Sequence, residues 1–215
     1  MILKSDLNIK QREFWEGDFG EDYLNRIKTL EDYNQWYEEN VGFPEEEIWK
    51  KYFSGFDKNM SILEVGSNVG IKLSLLKKMG FRNLTGIEIN KNAYEIAKKN
   101  NPSITWINSS IDSFEPDKSF DLVFTSLVLI HINPEALNSI IKKIIKISKK
   151  YIFGFEYYAD ILTEIPYRGH RNVMWKQNFP LLFMQLEPTL KQIISEKIPY
   201  KNNNLQDIVY LFEKN

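Results

Sequence analysis

The stretch Ser61-Ile-Leu-Glu-Val-Gly-Ser-Asn-Val-Gly70 decides the fold of this chain. Its apolar residues predict a buried strand, which ends in a carboxylate and a glycine-bearing turn, and the spacing of apolar residues over 71–79 predicts a helix. A second apolar run, 84–88, follows and ends in Glu88. A strand, a glycine turn, a helix and a second strand that ends in a carboxylate predict the nucleoside-binding half of a doubly wound α/β sheet.

The turn itself indicates which nucleoside is bound. Gly66 and Gly70 would let the backbone approach a ligand closely, and Glu88 would accept hydrogen bonds from both hydroxyls of a ribose. Dinucleotide folds usually carry G-x-G-x-x-G with amides aimed at a pyrophosphate, but Asn68 stands at the middle position here, and Asn tolerates positive φ. Glu64 would repel a pyrophosphate and would favour a cationic ligand that carries an amino group, such as S-adenosylmethionine.

These residues resemble the first motif of the class I S-adenosylmethionine-dependent methyltransferases, an acidic residue followed by x-Gly-x-Gly-x-Gly. The resemblance extends over residues 60–157, where 104–107 matches a third strand and Phe120-Asp-Leu-Val-Phe124 a fourth. Two apolar runs near the end, 191–199 and 205–213, are joined across 201–204 and predict an antiparallel hairpin. The expected fold is therefore a mostly parallel, Rossmann-like α/β sheet with an antiparallel C-terminal hairpin and helices on both faces.

The resemblance implies S-adenosyl-L-methionine as cofactor, with S-adenosyl-L-homocysteine as product, and assigns contacts with it. The first turn would contribute Glu64, Gly66, Ser67, Asn68 and Gly70; the second strand would contribute Glu88 and Ile89; later loops would contribute Ser109, Ser110, Ile111 and Leu127. In the family an acidic residue near the third strand bonds the adenine amine. Ser109 aligns with that position and Asp112 lies three residues further on, which leaves the acidic partner open.

The N-terminal segment combines aromatic side chains with charges. Gly17 and Gly20 would break its helix and present Trp15 and Phe19 from a turn. Its two interpretations are a fixed amphipathic cap on the sheet and a lid over the cofactor.

In the lid interpretation Trp15, Phe19 and Tyr23 would contact the cofactor and shield the sulfonium from water. Tyr23 and Arg26 would share one helical face, and Arg26 would bind the carboxylate of the methionine moiety.

The N-terminal segment, Tyr167-Arg-Gly-His-Arg171 and Trp175-Lys-Gln-Asn-Phe179 together resemble the pseudaminic acid biosynthesis-associated methylases, which are bacterial proteins of similar length. This resemblance implies a sugar or nucleotide-sugar acceptor of surface-glycan biosynthesis. Aromatic and basic residues would bind a small, anionic acceptor: Tyr157, Tyr158, Tyr167, Arg168, Arg171, Trp175 and Lys176. The alternative is a surface loop whose aromatic residues pack on the core.

Three residues are candidates for handling the acceptor's proton. His131 follows the fourth strand at the carboxyl edge of the sheet, where it would act as a base or instead cap the next helix. His170 lies between two arginines, whose charge would keep it neutral, or is a solvated loop residue. Glu156 would orient a hydroxyl or amine, or would pair with Arg168 or Arg171.

Composition narrows the class of protein. The chain has 215 residues, a formal net charge of −1 and no cysteine, so disulfides and thiolate metal sites are excluded and no strong field attracts nucleic acid. Neither a signal segment nor an 18-residue apolar run is present, so the expectation is a cytoplasmic protein without membrane partners. No cluster of carboxylates and histidines has metal-ligand spacing, and the oligomeric state stays open.

We expect one methyltransferase domain over residues 1–215, with four parts. A helical cap or lid covers 1–58, the cofactor-binding core 60–157, a substrate-side insertion 158–190 and a C-terminal hairpin 191–215. Two alternatives to a methyltransferase remain: a Rossmann-type oxidoreductase that uses a nicotinamide dinucleotide, and a methyltransferase-like binding protein without catalysis.

Overall fold

The computed structural model describes residues 11–24 and 29–214. Residues 11–16 are helical, and the further helices are α1 (Asp18–Leu24), α2 (Leu30–Asn40), α3 (Glu46–Phe53), α4 (Ile71–Lys78), α5 (Lys91–Asn100), α6 (Pro134–Ile147) and α7 (Phe179–Leu186). A 3₁₀ turn spans Leu129–His131. The strands are β1 (Ser61–Val65), β2 (Asn83–Glu88), β3 (Thr105–Asn108), β4 (Phe120–Ser126), β5 (Ser148–Tyr157), β6 (Thr163–Glu164), β7 (Trp175–Lys176), β8 (Lys191–Pro199) and β9 (Gln206–Glu213).

Within the described residues the main sheet has seven strands in the order β3-β2-β1-β4-β5-β9-β8. The first five are parallel, whereas β9 pairs antiparallel with both β5 and β8. This order places the carboxyl ends of β1 and β4 side by side at the point where the strand order reverses, which is where open α/β sheets bind ligands. The predicted fold class, including the antiparallel C-terminal hairpin, is confirmed.

Each face of the sheet is covered by an apolar cluster. The helix α6 contributes isoleucines to one cluster, and its lysines point away from the core, as their spacing predicts. The helix α3 contributes Trp49 and Phe53 to the other, where both are completely buried. The helices therefore hold the sheet between two packed layers and leave its carboxyl edge to form a site.

A buried polar group ties the N-terminal helices to the sheet. Asp207 on β9 accepts hydrogen bonds from Tyr37 on α2 and from Tyr200, with 3.2 Å between the Tyr200 hydroxyl and each carboxylate oxygen. Burial raises the pKa of Asp207 to about 7, and the two phenols oppose that shift. The carboxyl is thus held inside the protein by tyrosine hydroxyls and not by a basic residue.

Some local predictions are wrong. The isoleucine and lysine spacing predicts a helix that continues to Lys150, but α6 ends at Ile147 and the chain enters β5 directly. The aromatic and basic segment 160–190 is expected to be irregular, but it contains the β6–β7 hairpin and α7, a helix capped by the Asn178 side chain.

The N-terminal break occurs only at Gly17. Gly20 lies inside α1, where a Cβ atom would come within 2.0 Å of the Trp15 carbonyl oxygen, so this glycine serves close packing. Arg26 lies outside the described residues.

Candidate functional site

A cavity of ≈ 180 Å³ lies at the carboxyl edge of β1, β2 and β4. We call the turns that form and support its lower wall the floor, which consists of residues 64–70, 87–90, 109–112 and 126–128. We call the covering structure the roof, which consists of residues 11–24 and 167–170. The predicted cofactor residues that line this cavity are Trp15, Tyr23, Glu64, Gly66, Ser67, Asn68, Glu88, Ile89, Ser109, Ser110, Ile111 and Leu127.

The backbone amides of the glycine turn are already bonded within the protein. The Gly66 and Ser67 N–H groups both donate to the Ile87 carbonyl, at 2.9 and 3.0 Å. The Asn68 N–H donates to the Glu88 carboxylate at 2.7 Å. A pyrophosphate is normally bound by free amides of this turn. These three amides are therefore not free to bind a pyrophosphate.

Glu88 connects two turns of the floor. One carboxylate oxygen accepts from Asn68 and the other from the Asn90 N–H at 2.8 Å. Burial raises the pKa of Glu88, and these amides oppose the shift. Each carboxylate oxygen has more than one lone pair, so both remain able to accept from the hydroxyls of a ribose.

The two glycines of the turn are needed for internal packing. Gly66, Asn68 and Gly70 all have positive φ, at 71°, 47° and 81°. A Cβ atom on Gly66 would lie 2.6 Å from a Val128 methyl, and one on Gly70 would lie 2.4 Å from the Trp106 ring. Gly70 does not line the cavity, so the expectation that it approaches the ligand is not met.

A buried lysine beside the turn escaped sequence reasoning. Lys72 lines the cavity, its ammonium lies 2.5 Å from a Glu45 carboxylate oxygen, and it stands over the Tyr33 ring at 3.7 Å. Burial raises the pKa of Glu64, whereas the Lys72 charge opposes the shift. The Oε2 atom of Glu64 is buried without a hydrogen-bond partner among the residues described. Lys72 and Glu64 thus bring one ammonium and one carboxylate to the cavity wall, which suits a ligand that carries both charges.

The loop after β3 forms the far end of the cavity. Ser109, Ser110, Ile111 and Asp112 all line it, and Asp112 pairs with Arg12 of the roof at 3.1 Å. Asp112 is therefore the acidic side chain of this loop that lines the cavity, whereas the Ser109 hydroxyl donates to the carbonyl of the next residue.

The roof is a set of aromatic rings. Trp15 contacts the Tyr23 ring with 5.5 Å between centroids and the His131 ring with 4.4 Å. Phe19 stacks on Phe14 at 4.1 Å and touches His170 at 5.2 Å. Phe19 lies outside the cavity lining, so the structure gives it no place against a cofactor.

His131 is the histidine that lines the cavity. Its Nδ1 atom lies 3.2 Å from the Val173 carbonyl oxygen, so this nitrogen carries the proton and Nε2 keeps a lone pair. Burial lowers the pKa of His131 to about 4, and the bond to Val173 opposes the shift. The imidazole is neutral at pH 7. Asn133, not His131, caps the helix that follows.

The expected positions of Glu156 and His170 need correction. Glu156 is completely buried and does not line the cavity, because its carboxylate accepts from the backbone N–H groups of Val128, Leu129 and Ile130. His170 is exposed, lies on the outer side of the roof and also lies outside the lining.

The residues predicted to bind the acceptor surround the site without lining it. Tyr158 is buried and donates to Asp160 at 2.5 Å, and Trp175 is buried in β7. Tyr167 contacts the His131 ring with 5.7 Å between centroids. The other four are more accessible: Tyr157 and Lys176 are half-buried, and Arg168 and Arg171 are exposed.

Several lining residues were not predicted, and only some had a sequence signal. Asn90 follows the second strand directly and caps α5, so its position could have been anticipated. Lys72 and Arg12 could not, because their partners lie 27 and 100 residues away. Ser126 ends β4 and its hydroxyl is buried without a partner among the described residues, as is the Trp15 indole nitrogen.

The described part of the chain contains neither a metal-binding cluster nor a membrane-spanning helix. No group of three or more histidine, aspartate or glutamate side chains is placed to hold a metal ion there. None of the helices there combines the length and apolarity needed to cross a membrane.

Comparison with known proteins agrees with this geometry. Residues 62–150 match the family model described as a methyltransferase domain. Ribosomal protein L11 methyltransferase of Dictyoglomus thermophilum is 33% identical over 110 residues, which are 49% of this chain and 35% of that protein. Ubiquinone biosynthesis O-methyltransferase of Rickettsia typhi is 29% identical over 173 residues, which are 72% of this chain and 64% of that protein. The chain thus spans about a third and just under two thirds of these relatives.

A solved structure extends the similarity to the whole chain. Burkholderia thailandensis 1,6-didemethyltoxoflavin-N1-methyltransferase, with bound 1,6-didemethyltoxoflavin and S-adenosylhomocysteine, superposes with a TM-score of 0.70 at 14% identity. The match covers 100% of this chain and 91% of that one. The chain therefore has the fold of this methyltransferase, and its core over residues 62–150 carries the sequence pattern of a methyltransferase domain.

Proposed function

We propose that this protein is an S-adenosylmethionine-dependent methyltransferase whose acceptor is a small polar molecule. The observation that carries the proposal is the state of the glycine turn. Its Gly66, Ser67 and Asn68 amides are bonded internally, while the cavity presents Glu88 for a ribose and an unpartnered oxygen of Glu64 for an ammonium. This combination fits a nucleoside joined to a cationic amino acid and disfavours a nicotinamide dinucleotide.

The chain's own residues account for binding the cofactor. Glu88 and Asp112 would hold the ribose and the adenine amine at opposite ends of the floor. Glu64 would accept from the ammonium of the methionine moiety, and Lys72 beside it would donate to the carboxylate. The bound cofactor supplies a methyl group on a sulfonium, an already activated donor, so the protein's main task is alignment.

His131 is the residue we propose to receive the acceptor's proton. It lines the cavity, is neutral at pH 7 and keeps the Nε2 lone pair free because Nδ1 faces the Val173 carbonyl. A hydroxyl acceptor needs such a base, and an amine acceptor must be kept neutral by one. The aromatic roof over His131 would exclude water from the reacting atoms.

For the acceptor, we propose a sugar or nucleotide-sugar of bacterial surface-glycan biosynthesis. The support is the sequence similarity of the roof segments to the pseudaminic acid-associated methylases and the surroundings of His131. Trp15 and Tyr167 flank His131 with rings that suit the apolar face of a sugar. Arg168 and Arg171 lie outside the cavity and stay exposed, where they would bind a phosphate or carboxylate of the acceptor.

Calorimetric titration with S-adenosylhomocysteine tests the cofactor assignment. We expect wild-type protein to bind it and Glu88→Ala to bind about a hundredfold more weakly, because two backbone amides and the ribose lose a charged partner. Glu95→Ala on the exposed face of α5 is the matched control and should bind as wild type does. Absence of binding to wild type, or binding of NAD in its place, would overturn the assignment.

Assay of methyl transfer from S-adenosylmethionine to a panel of nucleotide-sugars and free amino sugars tests the acceptor. The expected result is transfer that His131→Asn abolishes and that Lys142→Met, on the exposed face of α6, retains. No transfer to any sugar of the panel, by protein that does bind S-adenosylhomocysteine, would overturn the sugar as the acceptor class.

A further inference from the structure

The carboxylate of Glu156 lies against the first turn after β4. Val128 and Leu129 donate backbone N–H groups to Oε1 at 3.2 Å each, and Ile130 donates to Oε2 at 3.4 Å. Glu156 is completely buried, and no basic side chain pairs with it among the described residues. Burial raises the pKa of Glu156 to about 7, and the three amides of this single 3₁₀ turn oppose the shift because they favour the ionised carboxylate.

The turn that Glu156 holds carries three residues of the cavity wall. Leu127, Val128 and His131 all line the cavity. Leu127 has a φ of 56°, which is unusual for a residue with a Cβ atom, and its N–H donates to the Phe155 carbonyl at 2.8 Å. A left-handed leucine persists only where surrounding contacts fix it. The neighbouring strand β5 supplies them through the Phe155 carbonyl and the Glu156 carboxylate.

The turn that carries Val128 packs directly against the glycine turn at Gly66. A Cβ atom on Gly66 would lie 2.6 Å from a methyl of Val128, so the two turns meet without spare space. A shift of the Val128–Ile130 backbone would move Val128 off Gly66 and His131 away from the Trp15 ring. Each of these contacts borders the place where donor and acceptor must meet.

We propose that Glu156 is a positioning residue: by binding three amides of the turn, it fixes the Val128 wall and the His131 imidazole. The residue touches neither cofactor nor acceptor. The consequence for methyl transfer rests on the proposed function. The placement of the turn by Glu156 does not depend on that function.

Other titratable or polar groups face Glu156 from the adjoining strands. Asp207 on β9 lies one register position away, since Glu156 pairs with Ile208 and Tyr157 with Asp207. Thr125 on β4 and Tyr210 on β9 also lie close enough to influence its titration. Asp207 binds Tyr37 and Tyr200 and not the turn, so it provides a matched control: another buried carboxylate of the same sheet.

The first readout is the His131 imidazole resonance, which does not need an identified acceptor. The chain has two histidines, so His131 and His170 can be assigned with one substitution of His170. We expect Glu156→Leu to shift the His131 resonance and raise its pKa from about 4 towards the ordinary value, because the ring leaves its buried place beside Val173. Asp207→Asn should leave the His131 resonance unchanged.

The second readout is affinity for S-adenosylhomocysteine. Glu156→Leu should bind about tenfold more weakly, since three buried amides lose their acceptor and the turn relaxes, whereas Asp207→Asn should keep wild-type affinity despite a lower melting temperature. Glu156→Gln retains an oxygen for Val128 and Leu129 and should recover most of the affinity and the wild-type His131 signal. If Glu156→Leu does not fold, Glu156→Asp replaces it in both measurements. The shorter side chain keeps a carboxylate but moves its oxygens away from the three amides.

Three results would overturn the proposal. The first is an unchanged His131 resonance in the folded Glu156 variant. The second is a loss of affinity for S-adenosylhomocysteine that Asp207→Asn shares in proportion to its loss of stability. The third is a Glu156→Gln variant that recovers neither the affinity nor the His131 signal. Failure of the proposed function is a separate result, because wild-type protein would then not bind S-adenosylhomocysteine while the His131 resonance would still report on the turn.

Discussion

The floor of the cavity is held together by backbone hydrogen bonds, whereas its roof is held together by contacts between aromatic rings. In the floor, Glu88 joins the Asn68 and Asn90 amides at 2.7 and 2.8 Å. In the roof, Phe14 stacks on Phe19 at 4.1 Å and Trp15 meets His131 at 4.4 Å. Hydrogen bonds fix direction and distance, while ring contacts tolerate sliding. We therefore expect the floor to be the more rigid half of the site. The roof is tied to it by hydrogen bonds from the Asn90 side-chain amide to the Trp15 carbonyl at 3.1 Å and to Glu21 at 3.2 Å.

The strongest test of this difference uses two glycines with the same backbone angle. Gly70 in the floor has φ 81° and Gly169 in the roof has φ 82°. Gly70→Ala should lower the free energy of unfolding by about 4 kcal/mol, from left-handed strain plus overlap with Trp106. Gly169→Ala meets no atom within 4 Å and should cost about 1 kcal/mol. Denaturant unfolding measures both, and equal costs would contradict the comparison.

The pH dependence of stability tests how well the roof buries His131. Its pKa in the folded protein is lowered to about 4 from the ordinary 6.5, so over this window the unfolded chain binds a proton that the folded protein does not. The contribution of the His131 imidazole to the free energy of unfolding is therefore present above pH 6.5 and is lost as the pH falls to about 4. The advantage of wild type over His131→Gln should grow by at most about 3 kcal/mol between these values. A difference independent of pH would show that the imidazole is not buried.

Substitution of Trp15 sharpens the distinction between a lid and a fixed cap. Trp15→Ala should weaken S-adenosylhomocysteine binding about tenfold, because the ring covers the cavity and packs on His131 and Tyr23. Trp15→Phe keeps a ring in place and should lose less. Calorimetry measures both affinities. Unchanged affinity in Trp15→Ala would mean that the roof takes no part in ligand binding.

The smallest expected effect concerns the ion pair that joins roof to floor. Arg12 and Asp112 are 3.1 Å apart, and both side chains are about a third exposed. A double-mutant cycle with Arg12→Ala and Asp112→Asn should give a coupling below about 1 kcal/mol that weakens with salt. A larger coupling free energy that does not depend on salt would show that this ion pair holds the roof firmly to the floor.

The parts of the site that were predicted share one property. Glu64, Asn68 and Glu88 stand at strand ends, and parallel strands bring their carboxyl ends to one edge whatever the rest of the chain does. Periodicity placed the strands, and strand order then placed these side chains. The positive φ at Asn68 also follows from residue type alone.

The parts that were missed depend on contacts between distant segments. Only the packing of β5 against the turn after β4 directs the Glu156 carboxylate towards backbone amides. Nothing close in the sequence marks Lys72 as buried, because its partner Glu45 lies 27 residues earlier in the chain. The basic cluster at Arg168 and Arg171 carried the expected chemistry but lies outside the cavity.

The sequence by itself determined the α/β sheet, its C-terminal hairpin and the strand-end carboxylates of the floor, because short-range periodicity and residue type decide these features. Only the tertiary structure decided which histidine enters the cavity, where Phe19 lies and what Glu156 binds. Those outcomes depend on burial and on partners far away in the chain, and the free energy of such contacts arises only once the segments are packed together.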